Sequence, residues 1–193
     1  MLRVGMIGCG KITEVRHAPE YAENPRCEIA GFYDFVPERA QAFARQYGGR
    51  AFASAEELIA NVDAVSVCSA NRAHAQDTIS ALEAGRHVLC EKPMATTLAE
   101  CEAMVAAAKK ANRLLMIGHN QRFNRAHQEA RRLIQDGAIG RVLSFHTAFG
   151  HSGPENWTGT PNPWFFDKKR AAMGALADLG IHKTDLIHYL LGE

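Results

Sequence analysis

Lys92 stands between a carboxylate and a proline in Cys90-Glu91-Lys92-Pro93, directly after the short apolar run His87-Val88-Leu89. Proline fixes its own φ and biases the residue before it toward an extended backbone, so this lysine is aimed where most surface lysines roam. Standing alone, a lysine before a proline in a loop is a weak signal and usually reads as a solvated charge. It gains chemical meaning beside a base. Asp178 and His182 lie four apart, which on a helix places them on one face, and Asp185 follows three residues later. When a hydride leaves a secondary alcohol carbon a carbonyl develops, and the hydroxyl must lose its proton. A histidine of suitable pKa can take that proton, and a nearby cation stabilises alkoxide character and favours the neutral imidazole. Asp178 could orient the imidazole or hold a substrate hydroxyl. The plainer alternative is a pair of core or cap residues, which is how His188 reads.

Such groups need a frame. The apolar run Leu2 to Ile7 ends in Gly8-Cys9-Gly10-Lys11-Ile12-Thr13, and a helical segment interrupted near Pro19 follows. In a glycine turn between strand and helix, Gly8 permits the tight turn and Gly10 lets the backbone approach a pyrophosphate. The ligand would then sit on the first free amides of the helix, around Lys11 and Ile12. Thr13 occupies a position usually small. The second strand, Cys27 to Asp34, ends in a carboxylate that can accept hydrogen bonds from adenosine ribose hydroxyls and would repel a 2′-phosphate. That favours NAD over NADP. Asp34 could instead simply cap the helix that begins at Pro37 and runs to about Tyr47.

The remaining elements repeat the alternation. Ser54-Ala55-Glu56-Glu57 is a capping box for a short helix, and Ala64 to Ser69 is an apolar run of the kind buried on both faces of a parallel sheet. A helix from about His74 stops at Gly85, and the strand His87 to Cys90 leads to Lys92. Thr97-Leu98-Ala99-Glu100 is a second capping box, opening an Ala-rich helix that ends near Asn112, and Leu114 to Gly118 closes the series as a strand. Strands alternating with helices through short turns predict an α/β fold, a doubly wound parallel sheet over residues 1–121. Its carboxyl edge is where ligands bind. A helix carrying Asp178 and His182 over that edge would set His182 opposite Lys92, with the nicotinamide between the two halves.

Past residue 121 the character changes. Asn124 to Asp136 reads as a helix stopped by Gly137, Arg141 to Phe149 as a strand, Gly150 to Pro163 as a long loop containing Trp157, and Gly174 to Leu191 as a helix. A single apolar strand cannot bury itself, so residues 122–193 read as the beginning of an incomplete α+β second domain.

The bulk composition is that of an ordinary water-soluble protein: 47% hydrophobic and 22% charged over 193 residues, with no run approaching a membrane span. A formal net charge of +1 gives no electrostatic case for nucleic acid or an anionic membrane as partner. Cys9, Cys27, Cys68, Cys90 and Cys101 are odd in number, scattered and without a C-x-x-C, so neither a disulfide framework nor a zinc site is expected, and no metal. With no signal-peptide pattern at the N-terminus, the expected compartment is the cytoplasm.

The chain resembles the glucose–fructose oxidoreductase / inositol dehydrogenase / MocA family. The resemblance rests on Gly8-Cys9-Gly10, Asn71-x-x-His74, Glu91-Lys92-Pro93, Gln121-Arg122-Phe123, Trp164, and the run Gly174 to Asp185 through Asp178 and His182. It covers essentially the whole chain and departs at Thr13, at Ala70 (often proline in the family) and in length, since the family's second domain continues with an open, mostly antiparallel sheet. The resemblance implies an NAD(P)-dependent oxidoreductase that moves a hydride between the nicotinamide and a secondary alcohol of a sugar, an inositol-like polyol or a related compound, and that self-associates in its full-length form. It makes Lys92 the catalytic lysine and Asp178 with His182 the other catalytic pair. Ser69, Asn71, His74, Glu91 and Gln121 would line the cofactor pocket. Arg122 and Trp164 would lie on the substrate side, where an ion pair and a core aromatic are their plainer roles. A cofactor-binding regulator without turnover, or an enzyme that oxidises transiently on the way to net hydrolysis or epimerisation, are the alternatives.

Overall fold

The computed structural model describes residues 1–159, 161, 164–171 and 174–192, without the side chain of Arg170. The chain divides into two compact units, Met1–Gly118 and His119–Glu193.

In the first unit, six parallel strands form one sheet in the order β3-β2-β1-β4-β5-β6. They are β1 (Leu2–Ile7), β2 (Cys27–Tyr33), β3 (Arg50–Ala51), β4 (Ala64–Val67), β5 (His87–Cys90) and β6 (Leu115–Ile117). The connecting helices are α1 (Ala18–Glu23), α2 (Pro37–Tyr47), α3 (Ala55–Ala60), α4 (His74–Glu83) and α5 (Leu98–Ala111). This is the strand order of the dinucleotide-binding doubly wound fold, whose switch point lies between β1 and β4. Ile7 pairs with Val67 there, and Val67 with Cys90, so the ends of β1, β4 and β5 are in register at one edge.

The sheet is apolar on both faces because helices cover both. Ile7, Val65, Val67 and Val88 pack with Leu58, Leu82 and Met104 on one side. Met6, Ile29 and Phe32 pack with Ala18 and Ala40 on the other. Phe32 also meets Phe43 of α2 at a ring separation of 5.5 Å. Each fully buried large side chain contributes about 1.5–3 kcal/mol relative to exposure. Caps set the helix starts. Thr97 and Glu100 form a reciprocal capping box at α5. At α3 the box is half made: Ser54 Oγ accepts from the Glu57 N–H, while the Glu57 carboxylate turns to the Ala53 N–H at 3.0 Å.

The expected break at Pro19 does not occur. Helical turns run unbroken over residues 11–23, and Thr13–His17 is a π-helix. Its wider turn shifts the bonding pattern by one residue just before the proline, which relieves the missing N–H and the ring's clash with the preceding turn. The two-residue strand β3, beside Gly31 and Phe32, carries no apolar run of its own and went unforeseen.

The second unit is helical. It contains a 3₁₀ turn Asn120–Phe123, α6 (Arg125–Gln135), α7 (Pro154–Thr158), a 3₁₀ turn Trp164–Phe166, α8 (Lys168–Ala171), a π-helix Leu176–Gly180 and α9 (Ile181–Leu191). Asn124 caps α6, its Oδ1 accepting from the Ala126 N–H at 2.9 Å. The expected strand from Arg141 to Phe149 is an irregular segment instead. A strand exists only through a partner's ladder, and the segment has none here, leaving Leu143 81% exposed. The expected long loop carries α7, and its positions 160, 162 and 163 lie outside the described residues. Among the described residues, no helix is long and apolar enough to cross a membrane.

Candidate active site

The ends of β1, β2, β4 and β5 carry the candidate site residues of the first unit. After β1, Gly8 turns with φ +96°, and a Cβ there would sit 2.6 Å from the Cys68 carbonyl and the Ser69 nitrogen. Only glycine lets the turn lie against the end of β4 in this way. Gly10, by contrast, faces open space within 4 Å of where its Cβ would stand. The turn therefore offers a bare backbone, followed by the unbonded first amides of a helix at Lys11 and Ile12. Thr13 is fully buried, and its hydroxyl donates to the Gly8 carbonyl at 2.6 Å. A residue that departs from the usual small third position thus becomes the pin of the turn. The Lys11 side chain pairs with Glu14 at the surface, so only its main chain faces the turn.

At the end of β2, Asp34 is buried. Its Oδ2 accepts from the Cys9 N–H at 2.7 Å and its Oδ1 from the Val36 N–H at 2.9 Å. It is therefore built into the turn and opens the approach to α2. Each carboxylate oxygen retains a second lone pair for a ribose hydroxyl. Phe35, next to it, is 73% exposed, an aromatic face the sequence reading passed over.

After β4, Ser69 donates from Oγ to Asp77 at 2.6 Å. Asn71 is buried at the start of a short 3₁₀ turn. His74 is 1% exposed, and its ring nitrogens face the Pro93 carbonyl at 2.7 Å and the Ser69 carbonyl at 3.0 Å. Its side chain is committed to main chain on two loops and ties the end of β4 to the lysine loop.

Lys92 follows β5, half-buried, with a cis bond to Pro93. Its N–H donates to Glu91 Oε2 at 3.1 Å, and Glu91 Oε1 meets His17 Nε2 at 2.8 Å. Burial raises the Glu91 carboxyl, but hydrogen bonds and charge from His17 and Lys92 outweigh it and hold the group below its ordinary range. Burial likewise opposes charge on His17, yet the Cys68 sulfur and Glu91 prevail and push it up to about 10. His17 was not foreseen. Its only local signal is a four-residue step from Thr13, and its partner lies far along the chain.

The second unit carries Asp178 in the π-helix and His182 in the first turn of α9. Local π turns of this kind recur at functional positions. His151 Nε2 stands 3.7 Å from Asp178 Oδ2, a neighbour the sequence reading missed, and the Phe149 ring meets His182 edge-on at 5.5 Å. Gln121 Oε1 accepts from Lys183 at 2.9 Å. Arg122 forks onto Asp185 through Nε and Nη2, so the plainer reading of an ion pair describes it. Trp164 stacks on Phe165 at 4.1 Å. Among the described residues, no group of three or more His, Cys, Asp and Glu side chains is arranged to hold a metal ion.

Comparison with known proteins agrees with this frame. Residues 2–119 match the model of an oxidoreductase family with an NAD-binding Rossmann fold, and residues 127–193 match a GFO/IDH/MocA C-terminal domain. The chain is 35% identical to levoglucosan dehydrogenase of Pseudarthrobacter phenanthrenivorans, over all of this chain and 52% of that protein. It is also 35% identical to D-glucoside 3-dehydrogenase of Escherichia coli, over 99% of this chain and 54% of that one. The structure of GenD2 from gentamicin A biosynthesis in complex with NAD superposes with a TM-score of 0.90 at 29% identity, covering 99% of this chain and 54% of that one. The chain thus spans about half the length of the curated relatives it matches. With the glycine turn, the buried Asp34 and the Glu91-Lys92-Pro93 loop on a sheet of this order, the chain belongs to the GFO/IDH/MocA oxidoreductase family.

Proposed function

We propose that the protein is an NAD-dependent oxidoreductase acting on a secondary alcohol of a sugar or polyol, with residues 1–121 as cofactor domain and 122–193 as the start of the substrate domain. The observation that carries this is the anchoring of Lys92 at the carboxyl end of β5, beside the switch point where the glycine turn lies. The named activities of the matched relatives, levoglucosan and D-glucoside dehydrogenation, support the substrate class.

The residues present fit a dinucleotide. The open backbone at Gly10 and the amides at Lys11 and Ile12 take the diphosphate. Asp34 accepts from the ribose hydroxyls, and its charge disfavours a 2′-phosphate. The exposed Phe35 offers an apolar face to the adenine. Main chain around Ser69 and Asn71 completes the wall, while Glu91 and Gln121 contribute at the nicotinamide end. When bound, the nicotinamide supplies the hydride acceptor.

The proton chemistry belongs to side chains. Lys92 donates to the substrate hydroxyl oxygen and steadies its developing negative charge. His182 takes the hydroxyl proton, and Asp178 orients the imidazole or holds a neighbouring hydroxyl. Trp164 offers a stacking face to a sugar ring, and Arg122 a guanidinium edge that its pairing with Asp185 keeps in place.

The test is turnover in the protein as its gene encodes it, with a panel of sugars and polyols and NAD. Lys92→Ala and His182→Ala should each lower kcat by about 10²–10⁴-fold while NADH fluorescence titrations stay unchanged. Undiminished turnover overturns the catalytic assignment. Binding without turnover in the unsubstituted protein favours a regulator, and product without net NADH favours transient oxidation.

A further inference from the structure

A lysine at the tip of a strand has a backbone free to swing unless something holds it. Here a line of hydrogen bonds does so. The Lys92 N–H donates to Glu91 Oε2 at 3.1 Å. The other oxygen of that carboxylate meets His17 Nε2 at 2.8 Å. The remaining ring nitrogen of His17 lies 2.8 Å from Ser66 Oγ on β4. The His17 and Glu91 side chains are 9% and 15% exposed, and Ser66 is fully buried. The line therefore runs from the floor of the sheet, through the last residue of the π-helix that follows the glycine turn, to the backbone of Lys92.

We infer that His17 is a positioning residue for Lys92: through Glu91 it fixes the backbone from which the lysine side chain reaches. The geometry stands by itself, and its consequence for turnover rests on the catalytic reading of Lys92 given above.

Stability alone does not require a charged pair at this place. A buried ion pair can often be replaced by apolar side chains at little or no loss, because desolvation offsets the attraction. What the pair supplies is direction. A carboxylate bonded on one oxygen only could rotate away, whereas held at both oxygens it presents Oε2 to the Lys92 N–H in one orientation. The imidazolium form suits this role, since both ring nitrogens then donate, one to a carboxylate and one to a hydroxyl oxygen. The groups facing His17 are Glu91, Cys68 and Tyr21, together with Ser66. The same histidine closes the π-helix whose first residue, Thr13, pins the Gly8 carbonyl.

The experiment is residue-resolved amide hydrogen exchange by NMR on the full chain, in which local opening is read separately from global unfolding. In His17→Leu the Lys92 amide should exchange about tenfold faster, the equivalent of one lost hydrogen bond, while Val88 and Leu89 on β5 keep their rates. His17→Gln, whose side-chain amide can still donate to Glu91, should restore most of the protection. An unchanged Lys92 rate, or a rise shared equally with Val88 and Leu89, overturns the inference. If His17→Leu does not fold, Ser66→Ala removes the far anchor of His17 and should still raise the Lys92 rate about threefold; an unchanged rate there overturns it equally. In turnover assays His17→Leu should lower kcat with NADH affinity unchanged. Faster exchange at Lys92 with undiminished kcat leaves the positioning intact and removes the catalytic role of Lys92 instead.

Discussion

His17 Nε2 and Glu91 Oε1 are 2.8 Å apart, although 74 residues separate them in the chain, and both side chains are nearly buried. A charged pair at such a place titrates with consequences for the fold. His17 is raised from 6.5 to about 10 against the opposing effect of burial, by Cys68 and by Glu91. A folded-state pKa above the unfolded one gives stability that is fully present below the unfolded value and is lost as pH rises through the folded value. The first unit should therefore lose a few kcal/mol between pH 7 and pH 10. Cys9 and Cys90 are pushed up to about 12 by burial, so in the fold they stay neutral while the unfolded thiols ionise, which adds to the loss at the upper end of that window. Urea unfolding followed by far-UV circular dichroism at several pH values reads the loss. His17→Leu should flatten that alkaline limb; an identical slope in both proteins would show that another group titrates there.

Thr13 makes a second testable link. Its buried hydroxyl is the donor to the Gly8 carbonyl at 2.6 Å. Thr13→Val keeps the shape and leaves that carbonyl without its donor, at a cost of about 1–2 kcal/mol. The loosened turn should also weaken NADH binding by roughly tenfold, equivalent to about 1.4 kcal/mol. Thr13→Ser retains the hydroxyl and should recover most of both effects. Urea midpoints and NADH fluorescence titrations measure them, and a Val variant with native affinity would mean that the turn holds its shape without the pin.

Much of this unit is legible from sequence because its signals are local. Apolar runs end in glycine turns, Thr97 and Glu100 sit three apart at a helix start, and Asn112 closes that helix in the left-handed region. What escaped reading depends on distant partners. Asp34 offered a choice between ribose acceptor and cap, and the bond from Cys9 that ties it to the turn crosses from one strand end to the next. The stretch from Arg141 to Phe149 reads as an apolar strand, but a strand is a property of a pair. Pro19 reads as a breaker under the ordinary helical repeat, and the π-helix ahead of it alters that repeat. The step from Asp178 to His182 was readable, whereas His151 beside Asp178 comes from an irregular segment with no periodicity to mark it.

Asp34→Asn should separate the two duties of that carboxylate. One amide oxygen cannot serve both the Cys9 and the Val36 N–H groups, and the new NH₂ would face one of them, costing about 1–2 kcal/mol. Removing the charge should also ease entry of a 2′-phosphate, narrowing any preference for NAD over NADP by about tenfold. Competition titrations against NADH fluorescence give the ratio of dissociation constants. If the unsubstituted chain already binds NADP as tightly as NAD, the reading of Asp34 as a discriminating charge is wrong.

The Arg122–Asp185 fork supplies a prediction confined to the second unit. The Asp185 side chain is 7% exposed and that of Arg122 is 42% exposed, so the two partners lose unequally when separated. Arg122→Ala strands a buried carboxylate, with the His119 Nε2 at 3.7 Å. It also removes the guanidinium lying 5.6 Å over the Tyr189 ring. Asp185→Ala leaves a guanidinium that can turn to water. Breaking a fully buried pair costs 3–5 kcal/mol, and solvent access on the arginine side reduces this to about 2 kcal/mol for Arg122→Ala. Asp185→Ala should cost about half as much, with the arginine free to rehydrate. Both tryptophans, Trp157 and Trp164, lie in this unit, so the midpoint of urea unfolding by tryptophan fluorescence reports it selectively. The order should be Arg122→Ala below Asp185→Ala below the unsubstituted chain. The reverse order would mean that Asp185 is held chiefly by something other than Arg122, and that the arginine is available to a substrate.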